Sequence, residues 1–190
     1  EAVCSSHPDL MTIHFKESEG EQQLFDNQGA LAEWYRAVGF ECDFLDYRSP
    51  AERIVRTIPA CQSVMFVHNC HLTQADIDTI MSHFTAPVYW ALCPRSNSYI
   101  SGAKTAVHKL LMANNLNILI GTDSLASNSS LSIIEELKCF ADVPLQTLLG
   151  WATTNGYKAL NCSPRGWVNI DGVNLQTMTI TEQATAKRVL

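Results

Sequence analysis

Positive charge is scarce in this sequence: 13 Lys and Arg stand against 19 Asp and Glu, a formal net charge of −6. A nucleic-acid-binding surface needs a basic surplus to release counterions from phosphates, so no nucleic-acid partner is expected. No apolar run approaches the roughly 20 residues of a membrane span, and no glycine loop of the phosphate-cradling kind occurs. Nor is there an internal repeat, a low-complexity stretch or a leader-like opening segment. The seven cysteines, Cys4, Cys42, Cys61, Cys70, Cys93, Cys139 and Cys162, are scattered and never form a C-x-x-C pair. That usage predicts reduced, mostly buried thiols and a cytoplasmic protein. What remains suits a globular chain of one-domain length: 190 residues, 46% hydrophobic, 17% charged, with four tryptophans.

The apolar residues follow two alternating patterns. Residues 10–13, 64–67, 88–92 and 117–120 are short unbroken runs, β-branched or aromatic-rich and without polar alternation. Such runs predict strands buried on both faces, as in a parallel sheet. Between them the spacing is helical. Ile77, Ile80, Met81 and Phe84 recur at i, i+3, i+4 and i+7, with Thr73 and Asp76 spaced as a capping box. Val107, Leu110 and Leu111 form a shorter stripe before Asn114-Asn115. Leu145, Leu148, Leu149 and Ala152 form another, expected to stop at Asn155-Gly156. Four strand–helix alternations predict an α/β fold of βαβ units. Residues 18–58 read as helices around 21–25 and 31–38, a loop over 43–50 and a short helix after it. Beyond Cys162, residues 167–170 and 173–181 flank Asp171-Gly172, the pattern of a hairpin with a type I′ turn. This tail is expected to belong to a separate small β layer.

In a parallel sheet the residues just past the carboxyl ends of the strands share one rim, where active sites of such folds are built. The first run ends at His14, with Glu17 three positions on. The second ends at His68, with His71 three on. The third enters Cys93-Pro94-Arg95-Ser96-Asn97, and the fourth passes Gly121-Thr122 to Asp123. Two imidazoles and a carboxylate on one rim are suitable ligands for a divalent ion such as Zn²⁺. Taken singly, each has a plainer reading. A histidine at a strand end is commonly a hydrogen-bonded structural residue, and Asp123 suits a helix N-cap or an Asx turn. His71, Thr73 and Asp76 fit a helix start, His83 and His108 are expected at the surface of helices, and His7 in a loop. The conjunction of His14, His68 and Asp123 at one position in three βα units favours a shared site.

The motifs Ile13-His14-Phe15-Lys16-Glu17, Val67-His68-Asn69-Cys70-His71-Leu72, Cys93-Pro94-Arg95-Ser96-Asn97 and the stretch from Gly121 to Asn128 occur in that order. Together they resemble strands five to eight of the amidohydrolase superfamily, in its chlorohydrolase and aminohydrolase branch of guanine deaminase and S-adenosylhomocysteine deaminase. The resemblance covers residues 9–160 and is specific as a set, although each piece alone is weak. It implies the carboxyl-terminal half of a metal-dependent (β/α)8 TIM barrel over residues 1–162, with residues 163–190 returning to a small β-sandwich. It further implies that His14 is a metal ligand and that Glu17 holds the substrate and shuttles a proton. His68 would polarise the group under attack or bind a second metal. Asp123 would touch the metal and take a proton from its water. The implied reaction is hydrolytic deamination, or a related C–N or C–Cl hydrolysis, of a small heterocyclic substrate by metal-activated water. Zn is the first expectation for the ion, with Fe or Mn also admissible.

One departure from the family is large. The strand-one H-x-H that supplies two further ligands occurs nowhere in these residues, and a complete barrel takes about 250 residues. With Glu1 in place of a Met, the expectation is a fragment, inactive alone and able to lack its metal. Its partners would be the missing amino-terminal half of the barrel or a second copy of the chain, besides the small-molecule substrate. The competing expectation is a non-catalytic small α/β binding domain of flavodoxin-like type.

Overall fold

The computed structural model describes residues 9–40, 43–102 and 106–189. His7, Cys4 and Cys42 lie outside the described residues.

Four parallel strands form the central sheet: β1 (Met11–Phe15), β2 (Val64–His68), β3 (Val88–Leu92) and β4 (Asn117–Ile120). Their order is β1-β2-β3-β4, without the reversal at which a flavodoxin-like sheet binds its ligand. Helices fill the intervals as expected: α1 (Glu19–Phe25), α2 (Gly29–Ala37), α3 (Pro50–Thr57), α4 (Gln74–His83) and α6 (Val107–Ala113). Between β3 and α6 lies α5 (Pro94–Ser101), and beyond β4 lies α7 (Ile133–Leu137). Neither α5 nor α7 has an apolar stripe long enough to announce it. None of the described helices is long and apolar enough to cross a membrane.

The strand faces sort by the pleat. Phe15, Phe66, Trp90 and Ile118 join one apolar core with Ile54 of α3, Ile77 and Ile80 of α4, and Leu111 of α6. Phe66 packs 5.0 Å, ring to ring, from both Phe15 and Trp90. Burying each such isoleucine contributes about 1.5–3 kcal/mol, which is why short helices with modest propensity persist here. The opposite face holds Tyr89, Ala91 and Leu119 under Ala159. Towards β1 that face opens: Thr12 and His14 are exposed and Val67 is half-buried.

The tail is a two-stranded antiparallel hairpin of β5 (Trp167–Asn174) and β6 (Thr179–Val189). The turn is not at Asp171-Gly172, as the sequence suggests, but over residues 175–178. There Asn174 Oδ1 accepts from the backbone N–H groups of Gln176 and Thr177. Asp171-Gly172 instead sits at an irregularity in the register. Gly172 has φ +75°, and a Cβ there would lie 2.8 Å from the Ala184 Cα, so the glycine serves a close backbone approach. Ile180 and Ala184 are buried in the main core.

Two further expectations are corrected. The helix from Leu145 does not stop at Asn155-Gly156. It runs as α8 (Leu145–Leu149), a π-helical turn over Gly150–Thr154, and α9 (Asn155–Ala159). Asn155 donates its Nδ2 to the Ile118 carbonyl of β4 at 2.7 Å, a tertiary bond that outweighs the local stop signal. His108 is buried rather than at the surface. Its ring lies edge-on to Phe140, with Nε2 3.5 Å from Asp142 Oδ1. Burial lowers its pKa from 6.5 despite that carboxylate.

Candidate active site

The turn after β1 is held by one carboxylate. Ser18 and Glu21 form a capping box at the start of α1. Glu21 also accepts from the backbone N–H groups of Lys16 and Glu17, at 2.7 and 2.6 Å. Lys16 has φ +49°, a conformation that costs a non-glycine residue roughly 1–3 kcal/mol. Two charge-assisted hydrogen bonds at about 1.5–3 kcal/mol each offset it. The turn folds Glu17 back over the sheet while sending Lys16 away. Lys16 Nζ meets Asp76 Oδ2 at 2.8 Å in a buried ion pair, and the same oxygen accepts from the Thr73 backbone N–H and hydroxyl. Thr73 and Asp76 thus form the expected helix cap, with an added tie to β1.

Glu17 reaches both histidines. Its Oε2 lies 4.0 Å from His14 Nδ1 and its Oε1 lies 3.6 Å from His68 Nε2. The two imidazole rings are 4.7 Å apart, edge to face. One ligand atom from each of His14, Glu17 and His68 falls within 4.8 Å of the other two. His14 is largely exposed, whereas His68 is 1% exposed. His68 closes β2 with φ +76°, followed by Asn69 at +60°, and Asn69 Nδ2 stitches the turn to the carbonyls of Phe66 and Ala91.

Asp123 lies three residues beyond β4, with φ +56°. It is not a member of the His14–Glu17–His68 cluster. The hydroxyls of Ser96 and Ser127 sit 2.6 and 2.7 Å from its Oδ2 and 2.8 Å from each other. The Ser96 hydrogen bond, against some desolvation and helped by Ser127, holds the carboxyl below its ordinary value. Asp123 is therefore an ionised carboxylate at neutral pH.

The motif Arg95-Ser96-Asn97 carries no local signal of what its members do. In the structure they fill the first turn of α5: Ser96 reaches past the end of β4, Asn97 reaches the end of β2, and Arg95 reaches both the loop after β4 and Glu136 of α7. Ser96 braces Asp123. Asn97 Oδ1 lies 2.8 Å from His68 Nδ1. Arg95 donates through Nε to Asn128 and through a guanidinium nitrogen to Ser129, and its backbone N–H donates to Glu136. Glu136 is fully buried, which raises its pKa, and it also accepts from Asn128 Nδ2 at 2.6 Å. Asn128 in turn donates to the Thr122 carbonyl. The loop carrying Asp123 is thereby tied at both ends. A separate surface cavity of about 550 Å³ beside this loop, lined by Arg95, Tyr99, Leu125 and Cys139, does not include the histidines.

The amidohydrolase family profile matches residues 10–166. The chain belongs to the amidohydrolase family. It is 30% identical over 115 residues to a 5-methylthioadenosine/S-adenosylhomocysteine deaminase of Halalkalibacterium halodurans, covering 55% of this chain and 26% of that protein. It is 26% identical over 169 residues to an aminodeoxyfutalosine deaminase of Nitratiruptor, covering 83% and 39%. With an adenosine deaminase of Helicobacter pylori the identity is 30% over 160 residues, covering 80% and 38%. The chain spans between about a quarter and two fifths of the length of these relatives. The family is metal-dependent, and His14, Glu17 and His68 are the candidate ligands that geometry brings together among the described residues.

Proposed function

We propose that the protein is a metal-dependent hydrolase that removes the exocyclic amino group of an adenosine-like nucleoside as ammonia. In this reading β1–β4 are strands five to eight of a (β/α)8 barrel, and the β5–β6 hairpin is part of a β-sandwich beside it. The monotonic strand order and the partly open second face support that placement. The observation that carries the functional reading is the convergence of His14, Glu17 and His68 at the strand ends. Lone-pair donors crowd there, while the neighbouring ammonium of Lys16 is committed to Asp76. A cation fits such a set, and mixed imidazole and carboxylate donors suit Zn²⁺, with Fe or Mn as alternatives.

His14, His68 and Asp123 would hold the ion, which when bound lowers the pKa of water and stabilises negative charge on the reacting centre. The chain's own residues do the rest. Asp123, kept ionised by its serine hydroxyls, takes a proton from the attacking water. Glu17, half-buried and facing the histidines, hydrogen-bonds the ring and carries a proton to the departing amino nitrogen. Water adds at the amine-bearing ring carbon, the C–N bond breaks, and ammonia leaves as a carbonyl forms. Residues 1–190 alone lack a second pair of histidine ligands and are inactive in this reading. The test is ammonia release by the whole protein from adenosine, 5-methylthioadenosine and S-adenosylhomocysteine. Release abolished by a chelator and restored by Zn²⁺ is expected. Release unaffected by metal removal, or none from any of the three with metal bound, would overturn the proposal.

A further inference from the structure

His68 makes its shortest polar contact away from Glu17. Asn97, 5% exposed in the first turn of α5, places Oδ1 2.8 Å from His68 Nδ1 and Nδ2 3.4 Å from the His68 backbone carbonyl. A backbone carbonyl only accepts, so the amide NH₂ must face it. Oδ1 then faces Nδ1, and an amide oxygen also only accepts. Nδ1 must therefore carry the hydrogen, and in the neutral ring the lone pair is left on Nε2. Nε2 is the nitrogen that looks at Glu17 Oε1 from 3.6 Å. Two lone-pair bearers facing each other repel unless a cation or a proton lies between them.

We propose that Asn97 is a positioning residue: its side chain fixes His68 as the Nδ1–H tautomer and so presents the Nε2 lone pair to the rim. The same amide grips the carbonyl of a residue held at φ +76°, so one side chain sets both the backbone and the proton of His68. Burial makes the hold strict. With His68 1% exposed, water does not offer Nδ1 another acceptor, and an unpaired buried N–H costs about 1–3 kcal/mol. Partners placed behind a ligating imidazole act in this way, and their loss typically lowers metal affinity 10–100-fold. The consequence for metal rests on the functional reading above, but the tautomer is a property of the metal-free chain.

The experiment is ¹H–¹⁵N correlation of the histidine rings in the metal-free whole protein, at about pH 8, where a free imidazole is neutral, followed by Zn²⁺ titration. His68 is expected to show a protonated Nδ1 and a bare Nε2. Asn97→Asp keeps an oxygen that accepts from Nδ1 but loses the donor to the His68 carbonyl, and should keep the Nδ1 proton. Asn97→Leu, of similar size, should shift the proton to Nε2 or to a mixture, and should weaken Zn²⁺ binding about 10–100-fold. If Asn97→Leu fails to fold, the wild-type and Asn97→Asp spectra still decide. A protonated Nε2 in the wild type, a lost Nδ1–H in Asn97→Asp, or an unchanged tautomer in folded Asn97→Leu would overturn the proposal. The expected tautomers without Zn²⁺ binding in any variant would overturn the metal reading and leave Asn97's hold on the ring in place.

Discussion

Glu17→Gln in the whole protein is expected to lower kcat by about 10²–10⁴-fold, the range for loss of a positioned proton carrier, with bound metal unchanged. Asp123→Asn is expected to lower turnover at least as far and to reduce metal content as well, because it removes a base and a ligand together. The contrast is informative because geometry alone would rank them the other way. Glu17 lies within the His14–His68 cluster and Asp123 does not. The assignment follows their surroundings. Asp123 is held ionised by two hydroxyls at the end of β4, as a base and anionic ligand must be, whereas Glu17 sits on a turn, half-exposed, facing both imidazoles. Metal lost from Glu17→Gln and retained by Asp123→Asn would exchange the two roles. Unchanged activity in either variant would remove that residue from the mechanism.

Residues 1–190 expressed alone should show no turnover and should not remain solitary in water. β1 and β4 are the outer strands of the sheet, and outer strands carry backbone groups free to pair with another chain. Asn155 takes the Ile118 carbonyl of β4, so β1 is the more open of the two edges. Beside it Thr12 and His14 are exposed on the face that would line a barrel. The expected result in size measurement is self-association, relieved when the amino-terminal remainder of the whole protein is supplied. Only the reconstituted pair should bind metal tightly and release ammonia. A monodisperse, metal-loaded, active monomer of these residues would contradict the half-barrel reading.

The strands were legible because unbroken apolar runs such as Val88–Leu92, all five residues buried, suit only a strand covered on both faces. Helix α4 was legible from its stripe and from Thr73 with Asp76. The hairpin turn was misplaced because Asp-Gly serves a type I′ turn and a register irregularity equally well. Only the proximity of Ala184 to Gly172 separates the two, and that contact spans twelve residues of chain. The stop at Asn155-Gly156 failed for a similar reason, since Asn155 finds its partner on β4. In the candidate site, His14, His68 and Asp123 stood out because each comes at or just past the end of an apolar run. Ser18 and Glu21 carry a capping-box spacing that sequence could have revealed. The tasks of Ser96 and Asn97 could not be read locally, because their partners lie 27 and 29 residues away, past the end of β4 and at the end of β2.

The most direct measurement is an anomalous difference map of crystals of the whole protein grown with Zn²⁺ and recorded across the zinc absorption edge. A single strong peak bonded to His14 or His68 at about 2.0–2.1 Å, at the carboxyl ends of β1 and β2, is the predicted result. A fully occupied zinc elsewhere in the molecule, with His14 and His68 free of metal in a protein that releases ammonia, would contradict it.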